Sequence, residues 1–589
     1  MKPSFPIPGP LGAALGSRRP GARLLLELDL TRGLLESPPA SPVEALRAMH
    51  VPTLRGVVEA LHKAAADEHV VGLVAHVGAR QPTLAQSNEL RAAVAELRTA
   101  GKRTVCWSET YGEMGPGNVG YHLATAFDEV WVQPSGDVGL VGPVAQAVFL
   151  RDTFDRLGVE TQLGQRHEYK SAAETFLRSS MSEPNREMLT RLVESAMETL
   201  VADVASGRGL SEEDVRAAVE EAPLSPSVAR ERGLVDRVGY RDEVYDDLRR
   251  RLGDVELRYV TRYGKGALAQ AGSAVSRRNR PVVAMIHAAG PIHLGRSSST
   301  PLSGRSIGSD TVAAALRTVA SDDDVKAVVL RINSPGGSYV ASDTIRREVL
   351  ALRRSGRPVV ASMADVAASG GYYIAMPADH VVACAGTLTG SIGVLGGKQV
   401  IHEMLRKIGV NRESVSTGRY ADMFSTDRPF DEDEWARVER WLDRVYDDFT
   451  AKAAEDRGME VEQLRALARG RVWTGADALR HGLVDELGGL EQAIAAAASR
   501  AGLARADVEL KVMPKPSLVE RFMPPENSES PAATAALGGL AALGGLGGLG
   551  GSGASGGGPS SLSVVERLLV TTGVAPYGVL SMPVGWRLR

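Results

Sequence analysis

The chain repeats itself. Residues 117–142 (GNVGYHLATAFDEVWVQPSGDVGLVG) and 368–393 (ASGGYYIAMPADHVVACAGTLTGSIG) align at a constant offset of 251. Gly120 falls on Gly371, Tyr121 on Tyr372, Ala124 on Ala375, Asp128 on Asp379, Val130 on Val381, Gly139 on Gly390 and Gly142 on Gly393. The register runs on through LGV at 157–159 against IGV at 408–410, and through Tyr169 against Tyr420. GLVD then recurs at 233–236 and 482–485. Chance supplies one such match, not an ordered series. The 589 residues are therefore constrained to a tandem of two related domains.

Within each copy the apolar pattern alternates between strand and helix. In the second, residues 280–290 (RPVVAMIHAAG) and 325–334 (VKAVVLRINS) are short β-rich runs, with helical spacing between them in TVAAALRTVASDD. The first echoes this with TLRGVVEALHKAAADEHVVGLVAHV and ELRAAVAELRTAGKRTVCW. Strand–helix–strand succession implies right-handed crossovers, so the predicted fold class is α/β with a largely parallel sheet in each repeat. The predicted organisation is an N-terminal tail at 1–21, a first repeat at 22–252, a linker at 253–280 and a second repeat at 281–505. A Pro/Gly/Ser-rich extension follows at 506–589, read as a flexible, solvated tail.

Composition removes several functions. Basic residues number 68 and acidic residues 71, a balance that argues against a nucleic-acid partner. Two cysteines, Cys106 and Cys384, exclude a disulfide scaffold and a four-cysteine zinc site, and both read as core residues. No HExxH or other metal-ligand spacing occurs, so no metal or cofactor is expected. The apolar run at 24–26 is too short for a secretory signal or membrane span, and the uncharged stretch 532–549 is too glycine-rich.

Two glycine-rich breaks in the second repeat follow predicted strands: NSPGGS at 333–338 and VAASGGYYIA at 366–375. The second puts Ser369 at a helix start, where free N–H groups lie. A serine there is either a plain helix cap or a nucleophile, with the N–H of Gly370 and one from Gly336 or Gly337 receiving a developing oxyanion. A nucleophile needs a base. Of the nearby histidines His380 and His402, the former falls in a helix-to-strand connection and reads as a surface residue. Lys170, in QRHEYKSAAETF, is the other candidate. Its counterpart in the second repeat is Ala421, while the counterpart of Ser369 is Asn118 and the SPGG segment faces ARQP at 79–82. The first repeat thus keeps a lysine and lacks the serine and glycine loop; the second does the reverse. That reciprocal loss predicts one composite site to which each half contributes.

With NSPGGS, AASGGYY, LTGSIG and EYKSA in a duplicated chain of this size, the sequence resembles the signal peptide peptidase A (protease IV) family, of the long double-domain bacterial type. The resemblance spans about residues 22–500. It implies a Clp-protease/crotonase-like fold in each repeat and a Ser/Lys dyad, with Ser369 as nucleophile and Lys170 as general base. It also implies that Ser391, in TGSIG, orients the lysine amine, and that Gly336, Gly337 and Gly370 form the oxyanion hole. The implied substrates are cleaved signal peptides and other short apolar unfolded segments. The implied assembly is a homo-oligomer, with a tetramer expected. Membrane association is implied as well, here as peripheral contact because no transmembrane segment is evident.

One condition must be met. A lysine with an ordinary pKa of about 10.4 is charged at neutral pH and cannot act as a base, so Lys170 must be buried away from carboxylates. Glu168 and Glu174 are close in sequence, and in an extended segment Glu168 shares the lysine's face unless a turn intervenes. Two rival readings remain at this level. One is a crotonase-like enzyme acting on acyl-CoA; the other is a non-catalytic oligomeric scaffold.

Overall fold

The computed structural model describes residues 21–37, 48, 51–263, 280–300, 304–513 and 580–581. The first repeat forms a six-stranded sheet in which every pairing is parallel. Its spatial order is Arg237–Val238, Glu129–Val132, Arg103–Ser108, Val70–His76, Leu24–Asp29 and Glu256–Tyr259. The second repeat lays down the same order: Glu486–Leu487, His380–Ala383, Val359–Ala368, Val325–Ser334, Val282–Ala289 and Glu509–Val512, again all parallel. Leu388–Gly390 joins the far end of Val359–Ala368 and carries Val472–Thr474 antiparallel on its other side.

The predicted strands are strands because they bury both faces. In Val325–Ser334 all but two residues are buried, the pattern of a parallel strand covered by helices above and below. Each repeat has its own main core, one around Leu26, Leu73, Val94 and Tyr121, the other around Ile286, Leu330, Ile345 and Tyr372. Cys106 and Cys384 are both buried in these layers as free thiols.

Two predicted boundaries fall short of the sheets. Glu256–Tyr259 pairs with Leu24–Asp29 and so extends the first repeat's sheet past residue 252. Glu509–Val512 pairs with Val282–Ala289 and extends the second past residue 505. Both are edge strands, ELRY and ELKV, whose polar residues hide their strand character. Residues 1–20 of the predicted tail, 264–279 of the linker, and 514–579 and 582–589 of the extension lie outside the described residues. No helix among those described is long and apolar enough to cross a membrane.

The repeats are interlocked. Glu160–Gln165 leaves the first repeat and pairs antiparallel with Leu395–Val400 of the second. Arg331, on a central strand of the second repeat and 2% exposed, pairs with Glu36 at 2.7 Å and Glu89 at 2.5 Å of the first. Ions this deep must be paired to persist, so these contacts fix one repeat against the other.

Candidate active site

Ser369 ends the strand Val359–Ala368 and caps the helix Gly370–Ala375. Its φ of +56° lies in a region that L residues rarely occupy. Hydrogen bonds from its N–H to Gly390 O (2.7 Å) and from Tyr373 N–H to its own carbonyl (2.9 Å) hold it there. Ser391 follows Leu388–Gly390 and has the same oddity, φ +52°, with its N–H bonded to Arg471 O at 2.7 Å. Two strained serines at the ends of adjacent parallel strands mark a site to which the surrounding structure is committed.

Lys170 arrives from the first repeat. After Glu160–Gln165 the chain turns at His167 (φ +64°) and delivers Lys170 at the start of the short 3-10 helix Ser171–Ala173. Its amine lies 2.7 Å from Ser369 Oγ, and 2.9 Å from both the carbonyl and the hydroxyl oxygen of Ser391. The residue is 1% exposed, Ser369 0% and Ser391 2%. Burial alone pushes the Lys170 amine well below the usual lysine range, because the charged form loses its water and finds no counter-ion. A neutral amine has two N–H donors and one lone pair. The donors match Ser391 O and Oγ, and the lone pair faces the Ser369 hydroxyl.

The turn removes both nearby carboxylates. Glu168 is directed to Arg469, with which it forms an ion pair. Glu174 is buried but faces away, accepting from Ser182 Oγ and from Asn185 Nδ2 (3.0 Å). Neither contributes to the shift of the Lys170 amine.

The glycine loop closes the other side. Gly336–Gly337 is a two-residue strand with φ values of +104° and +154°, paired through Gly337 with Ile292. It passes so close to the Ser369 helix that a Cβ on Gly370 would lie 3.1 Å from Gly337 N and 3.2 Å from Gly336 Cα. The N–H of Gly336 donates to Ser334 Oγ at 3.2 Å. Gly370 opens its helix, where backbone N–H groups have no intrahelical acceptor.

His380 bonds to Glu486 (2.8 Å) and Arg500 (2.8 Å) instead, and neither it nor His402 is bonded to Ser369. Among the described residues no group of His, Cys, Asp and Glu has the arrangement of a metal site. One contributor escaped the sequence reading. Gly470 (φ +83°) lies against the lysine, so that a Cβ there would come within 2.5 Å of Lys170 N and 2.6 Å of its Cβ. It sits 300 residues along the chain from Lys170, and nothing local in its sequence signals that approach.

Comparison with known proteins now places the chain. The model of peptidase family S49 matches twice, at residues 96–255 and 351–504. A chloroplastic serine protease SPPA of Arabidopsis thaliana is 35% identical over 75% of this chain, which spans 64%, just under two thirds, of that protein's length. Protease 4 of Salmonella typhi is 33% identical over 77% of this chain and 72% of its own length. Protease 4 of Haemophilus influenzae is 31% identical over 76% and 74%. These matches give the acyl-CoA and scaffold readings no support. Matched in both of its halves, this chain belongs to peptidase family S49.

Proposed function

We propose that the chain hydrolyses peptide bonds by a Ser/Lys dyad that spans its two repeats. The observation that carries the reading is the 2.7 Å approach of a buried, carboxylate-free lysine amine to a strained serine hydroxyl. Lys170 takes the Ser369 proton as the oxygen attacks the peptide carbonyl. Ser391 holds the amine through its two oxygens, aiming the lone pair without adding charge. The N–H groups of Gly337 and Gly370 receive the oxyanion. Gly336, whose own N–H is met by Ser334, supplies the turn that brings its neighbour in. Lys170 then protonates the leaving amine, and water, deprotonated by the same lysine, releases the acyl group.

The substrate class we propose is short, apolar, unfolded peptide, including the remnants of cleaved signal sequences. A two-residue glycine edge recognises backbone rather than side chains, which suits extended peptide of varied sequence. We further propose a homo-oligomer, with four copies expected. Val144, Val148, Ile408, Val415 and Phe424 are all more than half exposed, an apolar load that another copy would cover. Peripheral membrane contact remains part of the proposal on family likeness alone.

The test is labelling and turnover together. A serine-directed fluorophosphonate should label wild type at Ser369, and Ser369→Ala should lose both the label and hydrolysis of an unstructured apolar reporter peptide. Undiminished turnover in that variant would end the assignment.

A further inference from the structure

Just before the nucleophile, the strand Val359–Ala368 bulges. Its ladder with Val325–Ser334 runs in step as far as Ile332 opposite Met363 and resumes at Ser334 opposite Ala367. One residue, Asn333, therefore faces three, Ala364 to Val366. Up to Met363 the strand pairs with His380–Ala383; beyond the bulge it pairs with Leu388–Gly390, which leads into Ser391. The bulge is what re-aims the chain toward Ser369. Resting on the peptidase reading, we propose that Asn333 is a positioning residue for the reaction: its side chain, oriented by Asp365 and through it by Thr83 of the first repeat, holds the bulge that aims Ser369.

A bulge takes backbone groups out of the ladder, and they must be met by something else. Thr387 Oγ1 donates to Ala364 O at 2.7 Å, and the N–H of Val366 donates to Asn333 Oδ1 at 3.2 Å. That second contact fixes the amide, whose Nδ2 donates to Asp365 Oδ2 at 3.3 Å. The other oxygen of Asp365 accepts from Thr83 Oγ1. Thr83 caps the helix Leu84–Thr99, its Oγ1 accepting from Gln86 N–H at 3.2 Å, which leaves the hydroxyl proton for Asp365. Asn333 also leads into the glycine loop. Its carbonyl accepts from Gly290 N–H at 2.9 Å, and the next residue, Ser334, takes the Gly336 N–H. One side chain thus spans the nucleophile's strand and the oxyanion strand. The first repeat supplies the contrast. There His76 pairs with Trp107 as Arg331 pairs with Ser362, so Gly78 stands at the position of Asn333. The copy without the serine has no side chain at that point.

The experiment combines turnover of the reporter peptide with hydrogen exchange, both in the full chain. Asn333→Ala and Asp365→Ala should each lower kcat about 100-fold and leave KM within about threefold, as displacement of a reacting group does. Made together they should cost no more than the larger single loss, because they act as a unit. Asp365→Asn keeps an oxygen for the Asn333 amide and should recover kcat to within about fivefold of wild type. In exchange mass spectrometry, Asn333→Ala should speed exchange across residues 364–370 at least about tenfold and leave 359–363 unchanged. Should Asn333→Ala fail to fold, Thr83→Val takes its place. It removes the outer donor at an exposed position and should lower kcat about fivefold, while Thr83→Ser keeps the wild-type rate. A kcat within about twofold of wild type in the two alanine variants, or in Thr83→Val where it stands in, would overturn the proposal. A loss carried by KM alone, or unchanged exchange across 364–370, would do the same. If wild type neither turns over the reporter nor takes the serine label, the peptidase reading fails by itself, and the exchange comparison still decides whether Asn333 holds the bulge.

Discussion

Tyr121 donates its hydroxyl to Leu234 O at 2.7 Å in the first repeat, and Tyr372 donates to Leu483 O at 3.1 Å in the second. Arg98 bridges Asp128 and Ala126 O; Arg353 bridges Asp379 and Pro377 O in the same way. Arg208 pairs with Asp236, which accepts from Val130 N–H; Arg457 pairs with Asp485, which accepts from Val381 N–H. The tyrosine contacts are buried and the Arg–Asp pairs are partly so; a donor left without its acceptor inside a core costs more than the bond contributes, which favours keeping these contacts in both copies.

At the site the two halves part. Where the second repeat has strained Ser369, the first has Asn118, which closes on Gly142 through two hydrogen bonds (2.8 and 3.0 Å). Where the second has the glycine strand, the first has Gln81. Its side chain accepts from the N–H of Gly120 (3.0 Å) and donates to Pro116 O (2.9 Å). The first repeat does contain a Ser87–His122–Asp203 chain, each step 2.7 Å, but Ser87 and His122 have no exposure. In the second repeat Tyr373 stands at the position of His122 and hydrogen-bonds to Asp343 and Asp448 (both 3.0 Å), so this is a structural joint in both copies. On the proposed mechanism one working site serves both repeats, and the first contributes its lysine to it.

The sharpest way to break this comparison is to remove the lent residue. Lys170→Met should lower kcat by about three to four orders of magnitude, as loss of a dyad member does, while Asn118→Ala at the matching position of the first repeat should leave kcat within about twofold. On the proposed mechanism the neutral amine is the working form. Activity should therefore fall as pH drops through its lowered pKa and hold above it, with an acid limb well below the ordinary lysine value. Stability has its own sign. Between the depressed folded pKa and the unfolded value near 10.4, the unfolded chain binds the extra proton, so stability rises with pH by at most about 1.4 kcal/mol per unit. Lys170→Met should flatten that slope in melts run across the alkaline range. A kinetic acid limb that Lys170→Met leaves unmoved in its residual activity would assign the base elsewhere.

A smaller effect is expected from Gly470→Ala. The new Cβ meets Lys170 backbone and the φ is positive, so a loss of about 1–3 kcal/mol in stability should accompany a misplaced amine and a fall in kcat of about tenfold or more. Denaturant midpoints and turnover measured together check it. The smallest belongs to Gln81→Ala. It should cost about 1 kcal/mol through the unsatisfied Gly120 N–H and leave turnover unchanged. A drop in turnover there would mean the first repeat's site is not idle.

Much of the site was legible because duplication supplies its own comparison. Asn118 set against Ser369, and Ala421 against Lys170, exposed a reciprocal loss that a single copy would have hidden. The central strands were legible because burial on both faces makes them continuous apolar runs. ELRY and ELKV were not, since an edge strand half in solvent has the composition of a linker. Gly470 was invisible for another reason: its constraint comes from a side chain 300 residues away.

The sequence by itself determined that there are two alternating α/β units and which residue types each one kept, since periodicity and repetition are properties of the chain. Only the tertiary structure decided the surroundings of the Lys170 amine, on which its proposed role as base depends. The positive φ at His167 and the ion pair of Glu168 with Arg469 turn the nearest carboxylate away, and folding of the second repeat around the first excludes water from the amine. A lysine's charge is set by everything around it in space, and the residues that matter here come from both halves of the molecule.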